Sequence, residues 1–170
     1  PYQPRYRRAS RCEAGQAWDW DGVRFEVLHP TEEDYALARR SNALSCVLRI
    51  ANGAHSVLLT GDIEQPQEAQ LLALDAPLRA DVLLVPHHGS KTSSSAAFLD
   101  AVAPSLALVQ AGYRNRFGHP APAVLARYAE RQVRVVDSVH CGAAHWQSVQ
   151  PQQVDCQREV ARRYWQHRAP

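Results

Sequence analysis

The run Leu83-Leu84-Val85-Pro86-His87-His88-Gly89-Ser90-Lys91-Thr92-Ser93 decides how the rest of the chain is interpreted. Apolar residues typical of a buried strand stop at a proline, and two histidines, a glycine, a lysine and several hydroxyls follow at once. In α/β proteins, the loop after the carboxyl end of a strand commonly carries the binding or catalytic groups. A loop that only capped the next helix would need Ser or Thr, but not paired histidines. The run therefore predicts a functional loop between a strand and a helix.

Strand and helix patterns alternate on both sides of this run. Strands are predicted at 45–50, 56–60, 81–85, 106–109, 133–136 and 143–149, and helices at 65–75, 94–102 and 122–132. Such alternation favours parallel strand pairing through helical crossovers. Upstream, Asp21-Gly22 and Asn52-Gly53 each separate two strand patterns and predict β-hairpins. We expect one mixed α/β (α+β) domain over residues 1–170, with 1–15 as an irregular lead-in and 152–170 as a basic tail that is helical or frayed over 152–167.

Candidate functional residues concentrate in the loops that follow the predicted parallel strands. They are Asp62 after the first strand, then His87, His88, Ser90 and Lys91, then Arg114, Asn115, Arg116 and His119, with 137–140 after the last. The connections at the opposite sheet edge, 76–79 and 103–105, contain no such set. Asp and His together suit Zn²⁺, Mn²⁺ or Fe, and the cations favour an anionic substrate such as a phosphodiester.

Each of these residues also has a simpler interpretation. Asp62 follows a glycine at a strand end, where Asp often serves as a turn or capping residue. His119 could be an ordinary loop residue, and Arg114 and Arg116 could be solvated surface. The remaining histidines are interpreted as structural or surface residues: His29, His55, His140, His145 and His167. Convergence of the loops favours the functional interpretation of the set.

The bulk composition is that of a globular domain with no strong charge bias. Of 170 residues, 45% are hydrophobic and 21% charged, and the net charge of +2 does not by itself indicate nucleic acid binding. The chain contains no methionine, so we expect it to be a piece of a longer protein. The four cysteines form no C-x-x-C pair, which argues against a zinc ribbon. Cys46 is expected to be a small core residue, whereas Cys141 and Cys156 could form a disulfide.

Three stretches, 58–64, 81–93 and 115–120, resemble the metallo-β-lactamase-like domain at the C-terminal end of ComEC, the competence family that forms the inner-membrane DNA channel. The resemblance runs from about Trp18 to Trp146. It implies an αββα sandwich, of which this chain would be the second part. It also implies that Asp62 and His88 bind metal, with His87 as a neighbouring or alternative ligand. Asn42 stands where family members have a histidine, and their first His/Asp ligand cluster appears nowhere in this sequence.

The function implied by the resemblance is metal-dependent hydrolysis of DNA during natural transformation. Such a nuclease would degrade the strand that is not transported, facing the periplasm or exterior as a domain of an inner-membrane protein. Its partners would be DNA, the rest of the channel and other competence proteins. Asp62, His88 and His119 would be catalytic, with Ser90, Lys91, Arg114, Asn115 and Arg116 on the substrate. We expect Zn²⁺ or Mn²⁺ to bind weakly or not at all to residues 1–170, which alone should be inactive. The alternatives are a non-catalytic DNA-binding or scaffolding module and a hydrolase of a small phosphoester or lactone.

Overall fold

The computed structural model describes residues 10–37 and 40–162. Seven strands form one sheet: β1 Ala17–Trp20, β2 Val23–His29, β3 Val47–Ala51, β4 Ser56–Leu59, β5 Val82–Leu84, β6 Leu106–Val109 and β7 Arg134–Asp137. The helices are α1 Glu32–Leu37, α2 Gln65–Ala73, α3 Ala96–Val102, α4 Pro122–Glu130, α5 Ser138–Cys141 and α6 Gln157–Val160. Two further strands, β8 Ala144–Trp146 and β9 Val154–Cys156, pair as a separate hairpin.

The strands of the large sheet lie in sequence order from β1 to β7. The first four pair antiparallel, whereas β4, β5, β6 and β7 pair parallel. The crossovers between the parallel strands contain α2, α3 and α4 in turn. The predicted mixed α/β fold is therefore confirmed, and the carboxyl ends of the four parallel strands share one edge of the sheet.

One face of this sheet packs against the crossover helices. Leu58, Leu83 and Ala107 are aligned across neighbouring strands and are fully buried. The helices contribute their apolar residues to the same core, among them Leu71, Phe98, Leu99, Val102, Val124 and Tyr128. The Glu64 backbone amide donates to the side-chain oxygen of Gln67 at the start of α2, and Ser95 caps α3 by accepting from the Phe98 amide.

The opposite face of the sheet is apolar but incompletely covered. The strand pleat places Phe25, Leu48, Ile50, Leu59, Leu84 and Leu108 on this face, and all are partly exposed. Trp18 and Trp20 on β1 continue it and are 45% and 69% exposed. This is the exposed apolar surface that we expect of one layer of a sandwich.

Most of the predicted elements are confirmed within a residue or two of their ends. The interpretation of 152–167 as helical or frayed is wrong in part, because Val154–Cys156 is a strand paired with β8. Residues 137–140, predicted as a loop, are the end of β7 and most of the short helix α5, where the Asp137 side chain accepts from the His140 amide. The first part of the lead-in, residues 1–9, and the end of the tail, residues 163–170 with His167, lie outside the described residues.

Two disulfides connect distant parts of the chain. Cys141 pairs with Cys156, as the sequence allowed, and joins α5 to the end of β9. The interpretation of Cys46 as a core residue is wrong, because it is exposed and bonded to Cys12. No helix within residues 10–37 and 40–162 is long and apolar enough to cross a membrane.

Candidate metal and phosphoester site

The candidate site lies at the carboxyl edge of the parallel strands. Asp62 lies in the loop after β4, and its backbone amide donates to the hydroxyl of Ser45, 3.1 Å away. A side chain at Gly61 would meet the Ser45 Cβ at 3.0 Å, so the glycine permits this close approach. The aspartate is therefore fixed against the segment that leads into β3.

The paired histidines follow β5 in an unusual backbone conformation. His87 and His88 have φ angles of 49° and 57°, in the left-handed region that few residues with side chains adopt. The amide of His87 donates to the carbonyl of Gly61 at 3.0 Å, which ties this loop to the loop that carries Asp62. Backbone strain of this kind is concentrated at functional sites, where the surrounding structure must hold it in place.

Asp62 and His88 face each other across the two loops. The distance between Oδ1 of Asp62 and Nε2 of His88 is 3.4 Å, and both side chains are partly exposed. The other ring nitrogen, Nδ1 of His88, lies 2.7 Å from the carbonyl oxygen of Gln110. Since a carbonyl can only accept, Nδ1 carries the proton, and in the neutral ring Nε2 presents its lone pair towards the carboxylate. In this tautomer, Oδ1 of Asp62 and Nε2 of His88 are two electron donors 3.4 Å apart.

His87 occupies the other side of the same loop. Its Nδ1 lies 3.2 Å from Oε1 of Glu64, without hydrogen-bond geometry, and its Nε2 lies 3.4 Å from the side-chain nitrogen of Asn42. Asn42 thus reaches the site from the segment just ahead of β3. The resemblance placed Asn42 at a family ligand position, and the structure places its amide beside a predicted metal ligand.

His119 completes a cluster of three imidazoles. Its ring centroid is 5.9 Å from that of His87, and its Nδ1 is buried without a hydrogen-bond partner among the described residues. Burial lowers the pKa of His119, and the positive charge that His87 and His88 can carry lowers it further. A neutral imidazole at this position can accept a proton or bind a cation.

Gly89 brings the His119 loop against the paired histidines. Its φ is +81°, and a Cβ there would lie 2.7 Å from the Cβ of Pro120. The amide of Ala121 donates to the carbonyl of Gly89 at 2.8 Å. Any residue larger than glycine would push the two loops apart.

The predicted substrate-binding residues differ in how they are placed. Lys91, Arg114 and Arg116 are exposed, with the two arginines on the loop that leads to His119. Ser90 is buried, and its hydroxyl contacts the Thr92 hydroxyl at 3.0 Å. The amide nitrogen of Asn115 donates to the carbonyls of Gly112 and His119, so it closes the loop. The three cations can reach a ligand directly, whereas Ser90 and Asn115 shape the loops.

A buried carboxylate holds the end of the loop between β5 and α3, which carries the paired histidines. Glu68 on α2 is completely buried and accepts the backbone amides of Ser94 and Ser95. The Ser94 hydroxyl lies 3.2 Å from the hydroxyl of Tyr128, and Arg127 donates to the Ser94 carbonyl. Burial, assisted by the Glu68 carboxylate, raises the pKa of Tyr128, so its phenol stays protonated.

Sequence reasoning missed several of these supporting groups. No role is predicted for Glu64 or Gln110 from the sequence, and Glu68 is predicted only to lie in the helix at 65–75. A carboxylate in an otherwise apolar stripe, such as Glu68 beside Leu71 and Leu72, is the signal that could have identified one of them. Ser138, which follows β7, supports the site indirectly, because its hydroxyl donates to the carbonyl of Ala111 in the loop that leads to His119.

The Asp62–His88 pair fits part of a metal site. Two ligands held tetrahedrally at about 2.0–2.1 Å from a zinc ion stand about 3.3 Å apart, close to the observed separation. Within residues 10–37 and 40–162, however, no group of three or more His, Cys, Asp or Glu side chains is arranged to hold a metal ion. The described residues therefore offer two well-placed ligands and not a complete set.

Several known proteins contain a segment that is similar in sequence to this chain. No family model matches the sequence. Competence protein ComA of Neisseria gonorrhoeae is 39% identical over 142 residues, which are 83% of this chain and 20% of that protein. Recombination protein 2 of Haemophilus influenzae is 40% identical over 116 residues, 68% of this chain and 14% of that protein. ComE operon protein 3 of Bacillus subtilis is 37% identical over 114 residues, with 67% and 14% covered.

The chain is similar to a segment of each of these three proteins. It spans a fifth or less of the length of these relatives. Among solved structures, a protein of Parabacteroides distasonis provisionally named a metal-dependent hydrolase aligns with a TM-score of 0.46 at 12% identity, over 74% of this chain and 55% of that one. That structural similarity is too low to assign a fold family.

Proposed function

We propose that this chain is the C-terminal part of a metallo-β-lactamase-like domain in a ComEC-type competence protein, and that the domain hydrolyses phosphodiester bonds of DNA. The observation that carries the proposal is the pair formed by Asp62 and His88, 3.4 Å apart at the sheet edge. The 37–40% identity to Competence protein ComA, Recombination protein 2 and ComE operon protein 3 supports the assignment to a competence protein. The strand to be degraded would be the one that is not transported.

In this proposal, Asp62 and His88 contribute two ligands to a divalent metal, Zn²⁺ or Mn²⁺, with His87 as the next candidate. A bound divalent metal lowers the pKa of a water molecule and neutralises charge that develops on a phosphate. The Gln110 carbonyl orients His88 by holding its Nδ1 proton. His119, whose pKa is lowered, is placed to accept a proton or donate it to a leaving oxygen.

The remaining metal ligands would come from a preceding part of the longer protein. The partly exposed apolar face of the sheet supports this, since a second sheet packed there would complete a sandwich. The rest of the channel protein would then be a partner, and other competence proteins could join it. The two disulfides favour an oxidising compartment, consistent with a domain that faces the periplasm or exterior.

The test is cleavage of end-labelled DNA by the full-length protein that carries this chain, with added Mn²⁺ or Zn²⁺. Asp62→Asn and His88→Ala should each lower the cleavage rate at least a hundredfold. The matched controls Asp75→Asn and His145→Ala change exposed residues of the same types outside the site and should leave the rate unchanged. Undiminished cleavage by Asp62→Asn would overturn the proposal.

A non-catalytic DNA-binding module is the second candidate, and one observation favours it. The side chain beside His87 is the amide of Asn42, which is a poorer metal ligand than an imidazole. On this alternative, the full-length protein binds DNA with either metal present but does not cut it. Asn42→His distinguishes the two candidates, because it should strengthen metal binding and cleavage only if the site is a metal centre.

A further inference from the structure

The loop between β6 and His119 carries an arrangement that phosphate binding does not explain. Tyr113 and Phe117 are 41% and 67% exposed, although large aromatic residues are usually buried. Each is paired with a cation of the same loop, since Arg114 lies 5.1 Å from the Tyr113 ring centre and Arg116 lies 4.8 Å from that of Phe117. Two exposed aromatic rings interleaved with two arginines are typical of surfaces that bind single-stranded nucleic acid.

The more exposed ring is also connected to the candidate site. Phe117 stacks on His119 with ring centroids 5.8 Å apart and planes inclined by 17°. Together the two rings line a cleft of about 190 Å³, in which His88 and Gln110 form another wall. A flat group stacked on Phe117 would therefore lie beside the imidazoles, within the same cleft.

The loop is held firmly enough to act as a platform. Asn115 closes it through both ends of its amide, donating to the His119 carbonyl at 2.6 Å and accepting the His119 backbone amide at 3.0 Å. The aromatic rings therefore project from a braced turn. A platform that is rigid before binding loses less conformational entropy when the ligand arrives.

We propose that Phe117 and Tyr113 stack unpaired bases of single-stranded DNA and so select single strands and frayed ends over duplex at the candidate site. This inference rests on the proposed function for its substrate, but it concerns the bases and not the phosphates. Bases in a duplex are already stacked and paired, whereas an unpaired base offers its π-face to an aromatic ring. Arg114 and Arg116 would contact the backbone phosphates on either side or extend the stack with their guanidinium planes.

The test measures binding of the 170-residue chain to fluorescent oligonucleotides by anisotropy in EDTA, so that cleavage is not required. Three DNA ligands of equal length separate binding to the bases from binding to the phosphate backbone: a single strand, a single strand with abasic sites, and a duplex. Phe117→Ala should weaken single-strand binding about tenfold and leave abasic and duplex binding unchanged. Tyr113→Ala should show the same selectivity with a smaller loss, and Phe117→Tyr should restore binding.

The control variant is Trp20→Ala, which removes an exposed aromatic ring at the far edge strand and should change none of the three affinities. An equal loss of binding to the intact and abasic strands in Phe117→Ala, or no loss at all, overturns the base-stacking inference. DNA cleavage by the full-length protein alongside that result would leave the proposed function standing. Base-selective binding without any cleavage would instead contradict the proposed function alone.

Discussion

The carboxylate of Asp62 and the imidazole of His88 lie 3.4 Å apart although 26 positions separate them in the sequence (88 − 62). Their approach follows from the parallel pairing of β4 with β5, which brings both strand ends to one edge of the sheet. The hydrogen bond from the His87 backbone amide to the Gly61 carbonyl then sets the spacing between the two loops. Local sequence places each residue at the end of a strand, and the pairing of the strands makes them a site.

Replacing Arg114 and Arg116, in the loop between β6 and His119, should change how DNA binding depends on salt. In the double variant Arg114→Gln and Arg116→Gln, two phosphate contacts are lost, so the slope of log K against log salt for single strands should shrink by about 1.4. Fluorescence anisotropy measured from about 50 to about 300 mM salt gives the slope. Arg79→Gln, an exposed arginine at the opposite edge, is the matched control. An unchanged slope in the double variant would make the two arginines ordinary surface charges.

Removing the charge of Glu68 should destabilise the fold through the histidine loop. Glu68→Gln replaces one acceptor oxygen with a donor that faces a backbone amide, so we expect the free energy of unfolding to fall by about 2 kcal/mol. Urea denaturation measures this loss. Glu159→Gln, at an exposed position, should change it little. Equal stability of the two variants would show that the buried carboxylate does not hold the loop.

The carboxylate of Asp34 makes stability depend on pH. Although burial alone would raise its pKa, hydrogen bonds from Thr31 and Gln70 and the nearby His29 together lower it. Because the folded-state pKa is depressed below 3.8, the stabilisation is complete above pH 3.8 and is lost as the pH falls through the folded-state pKa. Asp34→Asn should therefore cost about 1 kcal/mol at neutral pH, and the difference from wild type should shrink as the pH falls below that range. Urea melts at several pH values check this, and a constant difference would contradict it.

The disulfide between Cys141 and Cys156 should stabilise the end of the chain. It closes a loop with a sequence separation of 15, for which the loss of unfolded-state entropy is about 3 kcal/mol. The double variant Cys141→Ser and Cys156→Ser should lose about this much free energy of unfolding. Dithiothreitol, which also reduces the Cys12–Cys46 bond, should cost the wild type at least as much. Mass spectrometry under non-reducing conditions verifies the bond. Wild-type protein whose denaturation midpoint is indifferent to reductant would contradict the prediction.

The sequence predicts the elements better than it predicts the contacts between loops. Asp21-Gly22 and Asn52-Gly53 mark their hairpins because the turns need these residue types locally. By contrast, the carbonyl of Gln110 orients His88 through a backbone atom, which every residue possesses, so no sequence signal marks it. The strand at Val154–Cys156 was missed for a related reason, because its partner and its disulfide are set by tertiary structure.

The most direct test of the central claim is ¹⁵N NMR of the His88 ring nitrogens while Zn²⁺ is added to the full-length protein that carries this chain, because the account takes the remaining metal ligands from the preceding part of that protein. The hydrogen bond from Nδ1 to Gln110 predicts that Nε2 is unprotonated in the neutral ring and free to bind metal beside Asp62. Zn²⁺ should therefore shift the Nε2 resonance of His88, while the exposed His145 stays unchanged and Asp62→Asn weakens the response. A His88 ring that keeps its proton on Nε2, or whose resonance is unmoved by Zn²⁺, would contradict a metal site at Asp62 and His88.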